Sequence, residues 1–250
     1  MLNYIRADFY RIFHQVLRYI WLILCMAVLV ALQVGLAMKN NLNALGFASS
    51  IHTYLTVAAV ICGIGELSAV FTDDFRAKTM QIAIGNGVSR RHVVLAKLLE
   101  MVILFFLDLL VLTALMILSG IVFMGLSFTA HPIQQMLVSV LSATLTATLC
   151  ADVTMILLFY TQKTGFAPLL YLVLFLDPIH QFFQMSLSTN ETFLRLHLGD
   201  YTMTSLVGAI NTQLGLGASF PAEQLILVLV YIVAVYVITC LVFNKRELDF

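Results

Sequence analysis

The chain has 250 residues, of which 61% are hydrophobic and only 10% charged, with a mean hydropathy of +0.99 and a formal net charge of zero. This composition excludes a soluble globular domain and is typical of a helical membrane protein. Helices are favoured because every backbone amide that crosses a bilayer must find its hydrogen bond inside the protein.

Six apolar runs are each close to the roughly 20 residues that a helix needs to cross a hydrocarbon core. We therefore predict an all-α fold with six transmembrane helices, at 19–38, 53–71, 98–125, 134–160, 165–184 and 224–243. We expect one transmembrane domain over 1–250, divided into an interfacial helix (1–18), two spans (19–71), a cytoplasmic loop (72–97), three spans (98–184), an external segment (185–223) and a last span with its tail (224–250).

The basic residues are distributed unevenly around these runs. If the N-terminus is cytoplasmic, only Lys39 and Arg195 lie outside, and the cytoplasmic side holds Arg6, Arg11, Arg18, Arg76, Lys78, Arg90, Arg91, Lys97, Lys163, Lys245 and Arg246. Cytoplasmic loops of membrane proteins are enriched in Lys and Arg. The distribution therefore predicts a multi-pass protein with both termini in the cytoplasm.

The first 18 residues alternate apolar and basic side chains at helical spacing. This pattern predicts an amphipathic helix in the headgroup layer, anchored by Arg6, Arg11 and Arg18 on lipid phosphates. The alternative is that these residues are simply the first turns of a long first span.

The cytoplasmic loop contains a patterned segment, DDFRAKTMQIAIGNGVSRRH, from Asp73 to His92. We predict a short helix with acids at its start, a break at Gly85-Asn86-Gly87, and a second helix that Ser89 caps. Such an arrangement makes a rigid cytoplasmic elbow between the second and third spans. A solvated basic linker is the alternative.

This loop resembles the coupling region of type-2 ABC exporter permeases. The resemblance rests on an acidic patch, a Lys-Thr step, a short hydrophobic helix, the Gly87–Arg91 segment and Lys97. The layout of the whole chain is similar too, including half-penetrating helices between spans five and six and a basic C-terminal stub. The chain differs from the family in the first docking helix. Members of the family often have a single Glu followed by Gly-Thr, where this chain has Asp73-Asp74 and Lys78-Thr79.

The resemblance implies that the loop docks on a separate cytoplasmic ATPase. The docking residues would be Asp74, Lys78, Thr79, Gln81, Ile82, Gly85, Asn86, Gly87, Val88, Ser89, Arg90 and Arg91. The chain has no Gly-x-x-x-x-Gly-Lys-Ser/Thr motif, so we expect no enzymatic activity of its own and no bound cofactor or metal, with ATP and Mg²⁺ on two copies of the ATPase.

The same resemblance implies further partners and a cargo. At half the size of a full permease, the chain would pair with a second copy or with a related permease, in contact with membrane lipids and with no nucleic acid. It is similar to permeases of Gram-positive bacteria that expel phenol-soluble modulins or confer lantibiotic immunity. We therefore expect export of amphipathic, antimicrobial or cytolytic peptides across the bacterial plasma membrane.

Three acids lie within the predicted spans and are candidates for a transport path: Glu66, Asp108 and Asp152. No Lys or Arg lies within the apolar runs to neutralise them, and an unpaired ionised carboxylate at this depth is costly. Their predicted partners are the hydroxyls of the fourth span, Ser139, Ser142, Thr144, Thr146, Thr148 and Thr154. The acids could line a path for cationic cargo, hold helices together by hydrogen bonds, or relay protons.

These readings leave three alternatives to a peptide exporter. The first is an ion-coupled secondary carrier that uses the intramembrane carboxylates without an ATPase. The second is an ABC exporter of lipid or of a small hydrophobic drug. The third is a non-transporting membrane subunit of a sensor or assembly complex.

Overall fold

The structure is a computed structural model, which describes residues 2–39, 44–76, 78–175, 178–189, 195, 197–215 and 220–245. About 90% of the described residues are helical, and no strand occurs among them. The prediction of an all-α fold is therefore confirmed.

Eleven helices follow one another in these residues: α1 (Leu2–Phe13), α2 (Val16–Lys39), α3 (Ala44–Leu67), α4 (Asp73–Arg76), α5 (Thr79–Gly85), α6 (Arg90–Met124), α7 (Ala130–Thr161), α8 (Ala167–Phe175), α9 (Pro178–Thr189), α10 (Met203–Gly215) and α11 (Ala222–Lys245). A π-helical turn, Ser68–Thr72, continues α3 into α4, and a 3-10 turn, Leu198–Tyr201, precedes α10.

Within the described ranges, four helical stretches are long and apolar enough to cross a membrane, in α3–α4, α6, α7 and α11. A fifth span results if α1 and α2, which are bent by 57° relative to each other, count as one crossing. The predicted arrangement of six spans is not confirmed. The cytoplasmic position of both termini and the interfacial position of α1 stay predictions.

The predicted fifth span, 165–184, contains two helices in the residues that the structure describes. Helix α8 ends at Phe175, and α9 begins at Pro178, with residues 176–177 outside the described part. Proline disfavours helical backbone in the residue before it but is tolerated in the first turn of a helix, which accounts for a helix starting there. Nine residues of α8 measure only about 14 Å, less than a bilayer crossing.

Helix α6 begins earlier than the predicted third span. It runs without interruption for 35 residues, which corresponds to about 52 Å. The predicted second helix of the cytoplasmic loop and the third span are therefore one helix. Ser89 caps it as predicted, because its Oγ accepts a hydrogen bond from the backbone N–H of His92 at 3.4 Å.

Helix α7 is the centre of the bundle, packing against α3, α6, α8, α10 and α11. The short helix α8 is held on α3 by Tyr171, whose ring lies over Gly63 and whose hydroxyl donates to the carbonyl oxygen of Ala59 at 2.8 Å. Only a glycine leaves room for this approach.

The segment predicted as external, 185–223, contains the end of α9, the 3-10 turn and α10. Helix α10 buries Leu206, Val207 and Ile210 in a small apolar cluster that also includes Leu149 of α7 and Val228 of α11. It is thus a packed part of the bundle. Its depth in the membrane stays a prediction.

Candidate functional site

Arg18 joins three helices at a buried site. Its Nε donates to Oε1 of Glu66 at 2.8 Å, and its Nη2 donates to Oδ1 of Asp108 at 2.6 Å. All three residues are buried, with at most 4% of their surface exposed. We call Arg18, Glu66 and Asp108 the Arg18 triad. A guanidinium suits this position because its planar fork can bind two carboxylates at once.

The triad corrects two predictions. Arg18 was expected to reach lipid phosphates, but α2 begins at Val16, so Arg18 lies in its first turn and its side chain enters the bundle between α3 and α6. No Lys or Arg lies within the apolar runs, as stated above, but Arg18 directly precedes the first run and still reaches Asp108, so the inference that this acid has no basic partner is also wrong. Two carboxylates compensate the desolvation of the guanidinium, and the guanidinium compensates theirs.

The hydroxyl groups of α7 are not the partners of Asp108. Most of them donate to the carbonyl oxygen four residues earlier in the same helix, as side chains of this type often do in helices. The hydroxyls with this bond are those of Ser139, Ser142, Thr144, Thr146 and Thr154.

A second buried site ties the cytoplasmic loop to the bundle. Lys97 of α6 forms ion pairs with Asp8 of α1 and Asp74 of α4, and with Glu100 at 3.1 Å. Arg11 of α1 also binds Asp74, and binds Asp8 at 2.6 Å. We call these five residues the Lys97 cluster.

The π-helical turn supplies further acceptors to this cluster. The carbonyl oxygen of Val70 accepts from Arg11 and from Lys97, both at 3.4 Å, and that of Ala69 accepts from Gln15 at 3.4 Å. A π-helical turn shifts the register of backbone bonds, and such turns occur frequently at functional sites. Here the turn brings the carbonyl of Val70 to the cationic side chains of α1 and α6, and that of Ala69 to the amide of Gln15.

The predicted docking residues divide into two groups. Asp74 is buried and Thr79 donates to its carboxylate at 2.6 Å, so these two face the bundle and brace the loop from inside. The prediction that Asp74 contacts a partner directly does not fit this position, because its carboxylate is taken up by Arg11, Lys97 and Thr79. The interfacial role predicted for Arg11 is likewise corrected, because its guanidinium is bound to Asp8 and Asp74.

The second group forms the outer side of the loop. Ile82 is 59% exposed, and the other exposed members are Lys78, Gly85, Asn86, Gly87, Ser89 and Arg91. Gln81, Val88 and Arg90 are half-buried. Arg90 donates to the carbonyl oxygens of Phe243 at 2.8 Å and Asn244 at 3.3 Å, which connects the start of α6 to the end of α11. We call the ten docking residues of this second group the loop surface.

The three candidate transport acids do not form one site. The structure brings Glu66 and Asp108 together on Arg18. Asp152 is fully buried, and neither of its carboxyl oxygens has a hydrogen-bond partner within the described part of the chain. Arg6, the remaining predicted anchor, is exposed, which is compatible with its predicted role.

Sequence reasoning missed Asp8, Lys97 and Glu100 as site residues. One signal was available: Asp8–Arg11 and Lys97–Glu100 are each opposite charges three residues apart on a helix, where side chains are neighbours.

The sequence also did not indicate a cavity of about 170 Å³ that lies between α3, α7, α8 and α10. The polar residues that line it include His52, Thr56, Ser142, Thr146, Thr204 and Asn211.

No protein-family model matches this chain, and the comparison with curated proteins found no match. The function is therefore argued from the site itself.

Proposed function

We propose that this chain is the transmembrane permease subunit of an ATP-driven ABC exporter, and that a separate ATPase docks on its loop surface. The observation that carries the proposal is the combination of an exposed apolar side chain, Ile82, with a firm internal attachment of the loop. A solvated linker needs neither feature, because it has no function that requires buried ion pairs between the loop and the bundle.

The attachment gives the loop surface a mechanical connection to the bundle. Asp74, just before the loop surface, is held by Arg11 of α1 and Lys97 of α6. Arg90, at the end of the loop surface, is held by the last turn of α11. A force applied to the loop surface would thus act on α1, α6 and α11 together. This is the property that an energy-coupling element requires.

The rest of the assembly follows from the proposal. Two ATPase copies would bind ATP and Mg²⁺, and a second permease copy, identical or related, would complete the transmembrane core. We propose cationic amphipathic peptides with antimicrobial or cytolytic activity as cargo, expelled across a bacterial plasma membrane. The similarity of the chain to small permeases that expel such peptides supports this class. Lipids and small hydrophobic drugs are the alternative cargo.

The test is copurification from native membranes. The tagged full chain is isolated in mild detergent, and ATP hydrolysis is measured in the eluate. We expect hydrolysis with the wild type, and a loss of at least tenfold with Ile82→Asp, because a charge at an exposed apolar contact disrupts docking. Lys163→Asp, a change at an exposed residue outside the loop surface, is the matched control and should retain hydrolysis.

Chain yield and melting temperature must be equal in the three preparations. If Ile82→Asp retains the hydrolysis of the wild type, the docking assignment is wrong.

An ion-coupled carrier is the second candidate function, because Asp152 is a buried acid without a basic partner in the described residues. Reconstituted vesicles that contain this chain alone distinguish the two functions. Cargo movement driven by an ion gradient, without ATP, would support the carrier and contradict the exporter.

A further inference from the structure

We propose that the cavity between α3, α7, α8 and α10 is a binding site for an uncharged group that carries N–H donors, such as a primary carboxamide. The cavity has a volume of about 170 Å³. A cavity of about 150 Å³ is large enough for benzene, so a ligand of roughly six non-hydrogen atoms fits here. Two of the lining residues, Thr56 and Gly208, are exposed, so the cavity opens to the surface of the chain.

The lining of this cavity is partly polar, although it lies within an apolar bundle. Its apolar part includes Leu174 and Phe175 of α8 and Val207 of α10. A ligand with a small hydrocarbon part and one polar end matches this distribution. The hydrogen-bonding side chains come in pairs from three helices: His52 and Thr56 of α3, Ser142 and Thr146 of α7, and Thr204 and Asn211 of α10.

Three hydroxyls of the lining can act only as acceptors towards a ligand. Each donates to the carbonyl oxygen four residues earlier in its own helix: Thr56 at 2.9 Å, Ser142 at 3.0 Å and Thr146 at 3.0 Å. Since a hydroxyl has a single proton, only lone pairs of these three oxygens are left for a ligand. The cavity therefore favours a ligand that supplies N–H or O–H donors.

Thr204 is the complementary group. Its hydroxyl oxygen is buried and has no hydrogen-bond partner in the part of the chain that the structure describes. A buried hydroxyl without a partner is costly, so this oxygen marks a position where a ligand or a water molecule binds. A primary carboxamide has two N–H donors for the acceptor hydroxyls and one carbonyl oxygen that can accept from Thr204.

The lack of charge in the lining selects an uncharged ligand. Within the described residues, no Asp, Glu, Lys or Arg lines the cavity. Nδ1 of His52 lies 3.5 Å from Nδ2 of Asn211, so these two side chains already engage each other. An ammonium or carboxylate group would lose its hydration here without gaining a counter-charge, whereas a neutral amide loses far less. This proposal goes beyond the exporter function and does not depend on the docking of an ATPase.

Saturation-transfer NMR of the full chain in nanodiscs of deuterated lipid tests the site with three small probes. Isobutyramide carries the amide, methyl isopropyl ketone replaces the amide NH₂ by a methyl group, and isobutylammonium replaces the amide by a charged group. After subtraction of the signal from nanodiscs without protein, we expect transfer to isobutyramide to be at least threefold larger than to either of the others. No transfer to isobutyramide, equal transfer to the ketone, or stronger transfer to the ammonium overturns the proposal.

A variant that fills the cavity tests the location of the probe. A Cβ at Gly208 would meet no atom within 4 Å, so Gly208→Leu has room for its side chain and should reduce transfer to isobutyramide at least threefold. Gly215→Leu is the matched control, because this position on the same helix is equally open and lies outside the cavity lining. Transfer in Gly208→Leu equal to that of the wild type overturns the location.

A second variant tests the unpartnered hydroxyl. Thr204→Val keeps the size of the side chain and should weaken transfer to isobutyramide. Thr212→Val should not, because Thr212 is exposed, lies outside the lining and donates to the carbonyl oxygen of Gly208 at 2.8 Å. Yield and melting temperature are compared in all preparations, and Thr204→Val decides the test if Gly208→Leu does not fold. Unchanged transfer in Thr204→Val contradicts the proposed site.

Discussion

The Nη2 atom of Arg18 lies 2.6 Å from Oδ1 of Asp108, although the two residues are 90 positions apart in the sequence. The same guanidinium donates to Glu66 on a third helix. One side chain from the first turn of α2 therefore holds α2, α3 and α6 together within the bundle.

Removing Arg18 should destabilise the bundle more than removing one of its partners. Arg18→Met leaves two buried carboxylates without a counter-charge, and breaking a buried pair in this way typically costs about 3–5 kcal/mol. Asp108→Asn should cost less, because Arg18 still binds Glu66. The measurement is the free energy of unfolding in detergent titrated with a denaturing detergent. Arg6→Met, at an exposed residue, is the control; equal stability of Arg18→Met and Arg6→Met would contradict the role of the triad.

Replacing Lys97 should loosen the cytoplasmic loop. Lys97→Met leaves Asp8, Asp74 and Glu100 without their shared cation, so α4 and α5 should detach from the bundle more often. We expect tryptic cleavage after Arg76 and Lys78, both exposed, to become at least severalfold faster. Lys163→Met is the control and should leave the rate at these sites unchanged. A cleavage rate in Lys97→Met equal to that of the wild type would show that the cluster does not hold the loop.

A methyl group at position 63 should displace α8. A Cβ at Gly63 would lie 2.2 Å from the ring of Tyr171, well inside contact distance. Overpacking of this kind costs about 1–3 kcal/mol. The melting temperature of Gly63→Ala should therefore fall, whereas Gly35→Ala, which meets no atom within 4 Å, should be neutral or stabilising.

A double variant identifies the cause of this effect. Tyr171→Leu removes the ring that the Cβ at position 63 would meet. Gly63→Ala should therefore lower the melting temperature less in the Tyr171→Leu background than in the wild type. If the two changes are simply additive, the contact with Tyr171 is not what makes Gly63 necessary.

A side chain at position 87 should distort the loop surface through the backbone alone. Gly87 has a φ of 92°, which L-residues rarely adopt, and a Cβ there would meet no atom within 4 Å. Gly87→Ala should therefore cost on the order of 1 kcal/mol through strain, and the amount of copurified ATPase should fall. Gly85→Ala, with an open position and no positive φ, is the control. Equal ATPase retention in both would show that the turn at Gly87 does not shape the docking surface.

The sequence was sufficient to predict the all-α fold class and part of the local structure of the loop. Apolar runs of about 20 residues predict helices, because in lipid a single segment can form all the hydrogen bonds of its backbone amides and carbonyls only as a helix. The cap at Ser89 and the turn at Gly87 could be predicted for the same kind of reason, since both depend on residues within a few positions. The predicted fifth span ran past Pro178 because its bounds followed hydropathy, although proline restricts the backbone of the residue before it.

What the tertiary structure decided is which charges meet. The sequence by itself determined that the protein is an α-helical membrane protein with a patterned loop, because hydropathy and capping act within one helix or one turn. It could not reveal that Arg18 turns inward to Glu66 and Asp108, that Asp74 is held by Lys97, or that Asp152 has no counter-charge among the described residues. Those pairings depend on how α1, α2, α3, α4 and α6 are placed around α7, and ion pairs between helices carry no signature in the spacing of residues along the chain.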